Sequence, residues 1–326
     1  MKLYLGLTES SAPHQTRIFA EREDRLIDLN FAYVAYLTQQ RRSSGAYELA
    51  AFHFPATIAA FLERGAQARR ALDEIFTFLS HKDAGDVRGP GGEKIFYGKN
   101  DIRLLPPFQN PEKSFVIGFS DKARAEATPP VEVPTGFYKL PQTFITTGAP
   151  IIWPKFSDEV DADACLAIVI GKAGKRIAPE QAWSYVAGAT LMIDVTARDV
   201  NKREGLTTNN LLGKNFPSST CLGPAFLENN ARQELESLEV ELSLDGSVKQ
   251  KFTLRQCVFK MEQIIARWSL VGIKPGDLLA IGASMSLQGE RLGTPVPLKV
   301  GATISCSSPV IGRLSHPVVP AGAARR

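Results

Sequence analysis

Cysteine is scarce in this 326-residue chain, and its four copies (165, 221, 257 and 306) are widely spaced with no CxxC pair. That spacing excludes a disulfide framework and reads as reduced thiols in a cytoplasmic protein. No apolar run approaches the roughly 20 residues needed to span a bilayer, so no membrane partner is expected. The opening MKLYLGLTESS has too short an apolar core for a signal peptide and lacks a small-residue cleavage site. Charge of one sign is not concentrated either. Lys and Arg total 38 against 34 for Asp and Glu, a net charge of +4, and the basic residues form no face-sized block. The terminal AARR is a short tail, and nucleic acid is not an expected partner. There is no internal repeat and no low-complexity tract. With 44% apolar residues, the chain is long enough for a sizeable core.

The first hundred residues form a unit of their own texture. KLYLGL and RIFAEREDRLIDL alternate as strands do, the second with a charged turn inside it. PATIAAFLERGAQARRALDEIFTFLS carries apolar residues at three- and four-residue spacing, which predicts helices broken near Gly65. The glycine-rich HKDAGDVRGPGGEK and proline-bearing DIRLLPPFQNPEK then read as a linker. From about Ser114 short strands dominate: SFVIGF, CLAIVIG, ATLMIDVTA and LEVELSLDG, the last entering an Asp-Gly hairpin turn at 245–246. Helices are expected over APEQAWSYV, started by Pro179, and KMEQIIARWSLVG, stopped by Gly272. The C-terminal strands have a barrel or sandwich idiom.

Three clusters could carry chemistry. In DADACLAIVIGK, Asp163 and Cys165 lie two apart and share a strand face, with Ala167 and Val169, while Leu166, Ile168 and Ile170 point the other way. A carboxylate at the mouth of a buried strand must be solvated, paired or metal-bound; an acidic turn leading into a core strand accounts for the same pattern. Asp194 interrupts an apolar strand, which is costly unless the carboxylate has a partner or a task. Arg198 and Asp199 follow within a turn and read as a local ion pair at the strand exit. Lys214 sits in a Gly/Pro/Ser-rich loop, LLGKNFPSSTCLGP, as a cation for an anionic substrate or as an ordinary loop lysine.

Taken in order, these pieces resemble the fumarylacetoacetate hydrolase family. Asp163-Ala164-Cys165-Leu166 followed by AIVIGK stands where that family has E-x-E-L and an apolar run ending in I-G-K. GATLMIDVTARDV, GKNF, LGP, KPGDLLAIGAS and IGRLSHPV match later segments in sequence, His316 replacing an asparagine in the last; FYKLP, with Lys139, matches upstream. The resemblance covers roughly residues 100–318. It implies an α+β fold: a smaller N-terminal α+β domain over 1–105 and a mixed β-roll catalytic domain over 106–326, assembled as a homodimer. It also implies Mg²⁺ or Mn²⁺ chelating adjacent substrate oxygens and stabilising an enolate.

The departures fall on the ligands. One glutamate becomes the shorter Asp163, and the other becomes Cys165, a soft donor ill suited to Mg²⁺. A threonine becomes Ala283, and no histidine is present in GFSDKARAEA, where Asp121 or Glu126 would stand for missing acidic residues. Expected metal ligands are therefore Asp121, Asp163 and Asp194, if any ion binds at all. The expected catalytic residues are Lys214, Asp194 and Cys165, and the expected substrate contacts Lys139, Arg198 and Ala283. The leading reading is an enzyme acting on a β-keto, diketo or 2-oxo acid by C–C hydrolysis, decarboxylation, dehydration, hydration or cyclisation, with its metal site altered or lost. An ordinary Mg²⁺/Mn²⁺-dependent C–C hydrolase and an inactive binding subunit are the alternatives.

Overall fold

The computed structural model describes residues 1–8, 15–80, 82, 87–118, 132–204, 211–229, 231–282 and 295–323. The chain opens with antiparallel strands β1 (Lys2–Leu7), β2 (Arg17–Arg22) and β3 (Arg25–Asp28). Asp28 then caps α1 (Leu29–Gln39), its carboxylate accepting the Phe31 N–H at 3.0 Å. This helix is not among those expected from periodicity, because it is apolar on most sides: Leu29, Ala32, Val34 and Ala35 are all fully buried. Helices α2 (Ala46–His53), α3 (Ile58–Glu63) and α4 (Ala66–Leu79) follow, the last two separated at Gly65 as expected.

Short strands come next: β4 (Phe96–Tyr97), β5 (Arg103–Leu105), β6 (Ser114–Gly118), β7 (Thr135–Tyr138), β8 (Phe144–Ile145) and β9 (Ile151–Ile152). The long pair β10 (Val160–Ile170) and β11 (Val186–Ala197) is buried at every position, and a 3-10 turn over Pro179–Tyr185 precedes the second strand. Each large apolar side chain buried on this pair contributes about 1.5–3 kcal/mol. A short helix α5 (Arg198–Arg203) leads to β12 (Thr220–Glu228) and α6 (Arg232–Ser237). The hairpin of β13 (Val240–Leu244) and β14 (Ser247–Phe252) turns at Asp245-Gly246, where both φ angles are positive (49° and 80°). Then α7 (Met261–Trp268) precedes β15 (Leu278–Gly282), β16 (Val296–Pro297), β17 (Thr303–Ser308) and β18 (Gly312–Val319).

Among the described residues the strands form a thirteen-stranded sheet and a five-stranded one. The larger runs β4-β3-β2-β1-β12-β11-β10-β15-β6-β7, with β5, β8 and β16 attached; the smaller runs β14-β13-β17-β18-β9. Because β1 pairs with β12, the N-terminal strands continue the same sheet that holds β10 and β11. The alternation of β10 divides two apolar layers. Ala167 and Val169 belong to the apolar layer that also holds α1 and α4, whereas Leu166, Ile168 and Ile170 belong to the layer that holds Leu242, Ile304 and Leu314 of the smaller sheet. No helix among the described residues is long and apolar enough to cross a membrane.

Near the start of β11, Gly188 lies against β12 so closely that an added Cβ would land on the Leu227 carbonyl oxygen and press on the Phe226 ring. Replacing Gly188 with Ala is expected to cost about 3 kcal/mol. Urea denaturation midpoints check this, and an unchanged midpoint would refute the close approach.

Candidate active site

The register of β10 against β11 sets the site. Asp161 stands opposite Thr196, Asp163 opposite Asp194, and Cys165 opposite Met192. Two carboxylates facing each other across a strand pair repel, so this arrangement requires cations or donors around it. Asp194 has two: Lys139 Nζ lies 2.9 Å from Oδ1 and Lys214 Nζ 2.6 Å from Oδ2. Burial alone would raise the Asp194 carboxyl, but the two ammonium charges outweigh it and hold it below the usual range.

Both lysines are held in turn. Lys139, fully buried, also donates to the backbone carbonyl of Lys214 and to that of Ser219 at 3.0 Å, which occupies all three of its N–H groups. Lys214 Nζ donates to Thr196 Oγ1 at 2.6 Å and lies 4.4 Å from the centre of the Phe137 ring. Asp163 accepts the Gln250 side-chain N–H at 2.8 Å. Burial is the main force pushing its carboxyl up to about 6, with the charges of Asp161 and Asp194 adding and those of Lys214 and Gln250's N–H opposing.

Of the expected residues, the fold brings Asp163, Asp194, Lys139 and Lys214 together. The expected Arg198–Asp199 pair is replaced. Arg198 makes a two-pronged contact with Asp161 at 2.6 and 2.8 Å, while Asp199 accepts from Ser157 and pairs with Arg203. The reason is direction: helix α5 starts at Arg198, so successive side chains diverge there. Cys165 is 1% exposed and packs with Ala167 and Met192. Burial, then the charges of Asp194 and Asp163, keep its thiol protonated. Asp121, Glu126 and Ala283 lie outside the described residues. Three participants were not expected: Asp161, Thr196 and Gln250. The first two sit two positions from Asp163 and Asp194 on the same faces, a signal the alternation carries. Gln250 stands in the inward phase of SVKQKF, where Phe252 is also buried.

Residues 115–319 match the sequence model described as Fumarylacetoacetate (FAA) hydrolase C-terminal. The chain belongs to the fumarylacetoacetate hydrolase family. It is an enzyme of that family. It is 36% identical over 226 residues to the oxaloacetate tautomerase fahd2, mitochondrial, of Xenopus laevis, covering 68% of this chain and 70% of that protein. Two solved structures share the fold. A fumarylacetoacetate hydrolase from psychrophilic Exiguobacterium antarcticum matches with a TM-score of 0.69 at 21% identity, over 98% of this chain and 99% of the other. A maleylpyruvate hydrolase from Sphingobium sp. SYK-6, in complex with manganese (II) ion and pyruvate, matches with 0.66 at 18% identity, over 98% and 100%.

Mg²⁺ and Mn²⁺ favour all-oxygen donor sets, which the described residues of this family member do not supply. Each Asp194 oxygen faces an ammonium group, one Asp163 oxygen faces an amide N–H, and the third position offers a protonated thiol. No group of three or more His, Cys, Asp or Glu among the described residues is arranged to hold an ion. The described donor set therefore does not fit either ion.

Two outcomes follow for stability. Truncating Asp194 to Ala leaves buried ammonium groups unpaired and is expected to cost about 3–5 kcal/mol, measured by chemical denaturation. For Asp163, a carboxyl raised in the folded state binds protons more tightly there than in the unfolded chain. Its contribution to stability therefore falls as pH rises from about 4 through about 6. Asp163→Asn removes that penalty, so the variant should match wild type near pH 4 and exceed it by on the order of 3 kcal/mol at pH 8. A difference independent of pH would contradict the assignment.

Proposed function

We propose that this enzyme interconverts the keto and enol forms of a short 2-oxo or β-keto acid through an enolate, using side chains in place of a resident divalent ion. The observation that supports it most is the Asp194 carboxylate shared by Lys139 and Lys214, set directly opposite Asp163. Lys214, oriented by Asp194 and Thr196, meets a substrate carboxylate or the developing enolate oxygen as a fixed positive charge. Asp163 removes the proton from the carbon beside the carbonyl, and return of that proton to oxygen completes the tautomerisation. Decarboxylation or C–C cleavage would pass through the same enolate. The kinship with an oxaloacetate tautomerase supports oxaloacetate as the first substrate to try.

In this reading Lys139 and Asp194 hold Lys214, Cys165 forms a wall of the site, and Arg198 with Asp161 borders it. Asp121 and Ala283 are retained as site candidates on the sequence match alone. Residues 106–326 are the catalytic unit and 1–105 its α+β support, with a homodimer as the assembly. Cytoplasmic residence belongs to the same proposal, although the Xenopus relative is described as mitochondrial. A metal-dependent hydrolase is the second reading, favoured by the manganese and pyruvate in the Sphingobium enzyme.

The test follows enol absorbance of oxaloacetate. Wild-type protein should accelerate its decay before and after exhaustive chelation, and Lys214→Met and Asp163→Asn should each lower kcat/KM about 100-fold. Activity lost on chelation and restored by Mn²⁺ would replace this reading with the second.

A further inference from the structure

Among the described residues, strand β10 has no partner strand at one place on one edge. On the edge away from β11, β16 pairs with Asp161 and Ala162 and β15 with Cys165 onward, so among the described residues no strand pairs with Asp163 and Ala164 there. A buried N–H left unpaired there would be costly. Gln250 fills the gap. It is 1% exposed, its Oε1 accepts the Ala164 N–H at 2.9 Å, and its Nε2 donates to Asp163 Oδ1 at 2.8 Å. The two contacts fix which way the amide points. A backbone N–H requires the amide oxygen, so the NH₂ group must face Asp163.

Gln250 comes from β14, the edge strand of the smaller sheet, and reaches across to the larger one. Gln250 and Phe252 point inward while Lys249 and Lys251 point out, and the β13–β14 ladder shifts register between Leu242 and Ser243, beside Gln250. Ladder irregularities of this kind re-aim side chains near functional sites. The charged groups that act on Asp163 include Asp161, Asp194, Lys214 and Arg198. Gln250 adds a neutral donor placed on the carboxylate by another sheet.

We infer that Gln250 is a positioning residue that holds the Asp163 carboxylate in its place opposite Asp194, so that the smaller sheet takes part in the chemistry. The catalytic consequence rests on the enolate reading above; the pairing itself does not. Three variants separate them. Gln250→Leu removes both contacts. Gln250→Glu keeps the acceptor for Ala164 and turns a second carboxylate onto Asp163. The double variant D163N/Q250E exchanges amide and carboxylate, restoring a donor–acceptor match with the acid on the wrong strand.

Melting temperatures and oxaloacetate kinetics are measured for all three and for wild type. Gln250→Glu should melt lower and lose about 10-fold or more in kcat with KM changed less than about threefold. Gln250→Leu should show the same split. D163N/Q250E should recover the melting temperature and none of the kcat. The inference is overturned if Gln250→Glu keeps wild-type kcat and melting temperature, or if the double variant fails to recover stability. Absence of turnover in wild-type protein would overturn the enolate reading, and the melting-temperature cycle would still decide the pairing.

Discussion

One buried carboxylate holds two lysines, and much of the local structure follows from it. Asp194 lies in a strand whose every residue is out of solvent, where a lone negative charge would be prohibitively costly. Lys139 and Lys214 offset that cost from two different loops. Lys139 then reaches past Asp194 to the carbonyls of Lys214 and Ser219, so the loop carrying Lys214 is fastened to the strand by the lysine beside it. Removing the carboxylate would strand two ammonium groups, and removing Lys139 would take away one of that loop's ties, beside those from Ala197 to Gly213 and from Ser219 to Lys214. Both lysines thus serve the packing of this region as well as the site.

The register of β10 and β11 enforces the second constraint. Shifting either strand by one residue would turn Asp163 or Asp194 to the opposite face and drive Leu or Ile side chains into the layer beside the helices. The hydrophobic alternation therefore fixes which carboxylates meet. Apolar packing over eleven and twelve residues holds two like charges face to face, and the cations and Gln250 relieve what repulsion remains.

Much of this was legible in the chain itself. An aspartate inside LMIDVTA announces a partner or a task, and the two-residue alternation of β10 assigns Cys165 to the same face as Asp163. The break at Gly65 stands where local chemistry puts it, and Pro179 starts a helical segment as expected, although that segment is 3-10 and not α. What could not be read depends on distant contacts. Arg198 has Asp199 next to it in sequence and Asp161 next to it in space. Gln250 is separated from Asp163 by 87 residues, and only the packing of one sheet on another brings them together. Helix α1 escapes because periodicity marks a boundary between core and solvent, and α1 has core on most sides.

Cys165, which the motif resemblance sets at an acidic position of the family pattern, is best understood from its surroundings. Cys165 faces Met192 on one neighbouring strand and Gly282 on the other, and a side chain added at Gly282 would crowd its sulfur at 3.0 Å. The space around position 165 is therefore matched to a small, uncharged group. A glutamate introduced there would bring a longer chain and a charge into a closed apolar layer, beside two carboxylates already in balance with two lysines. Changing one residue could not restore an all-oxygen donor set, because the packing at Met192 and Gly282 and the hydrogen bond from Gln250 would each have to change with it. The altered donor set is thus a property of the surrounding shell, and Cys165 is its most visible member.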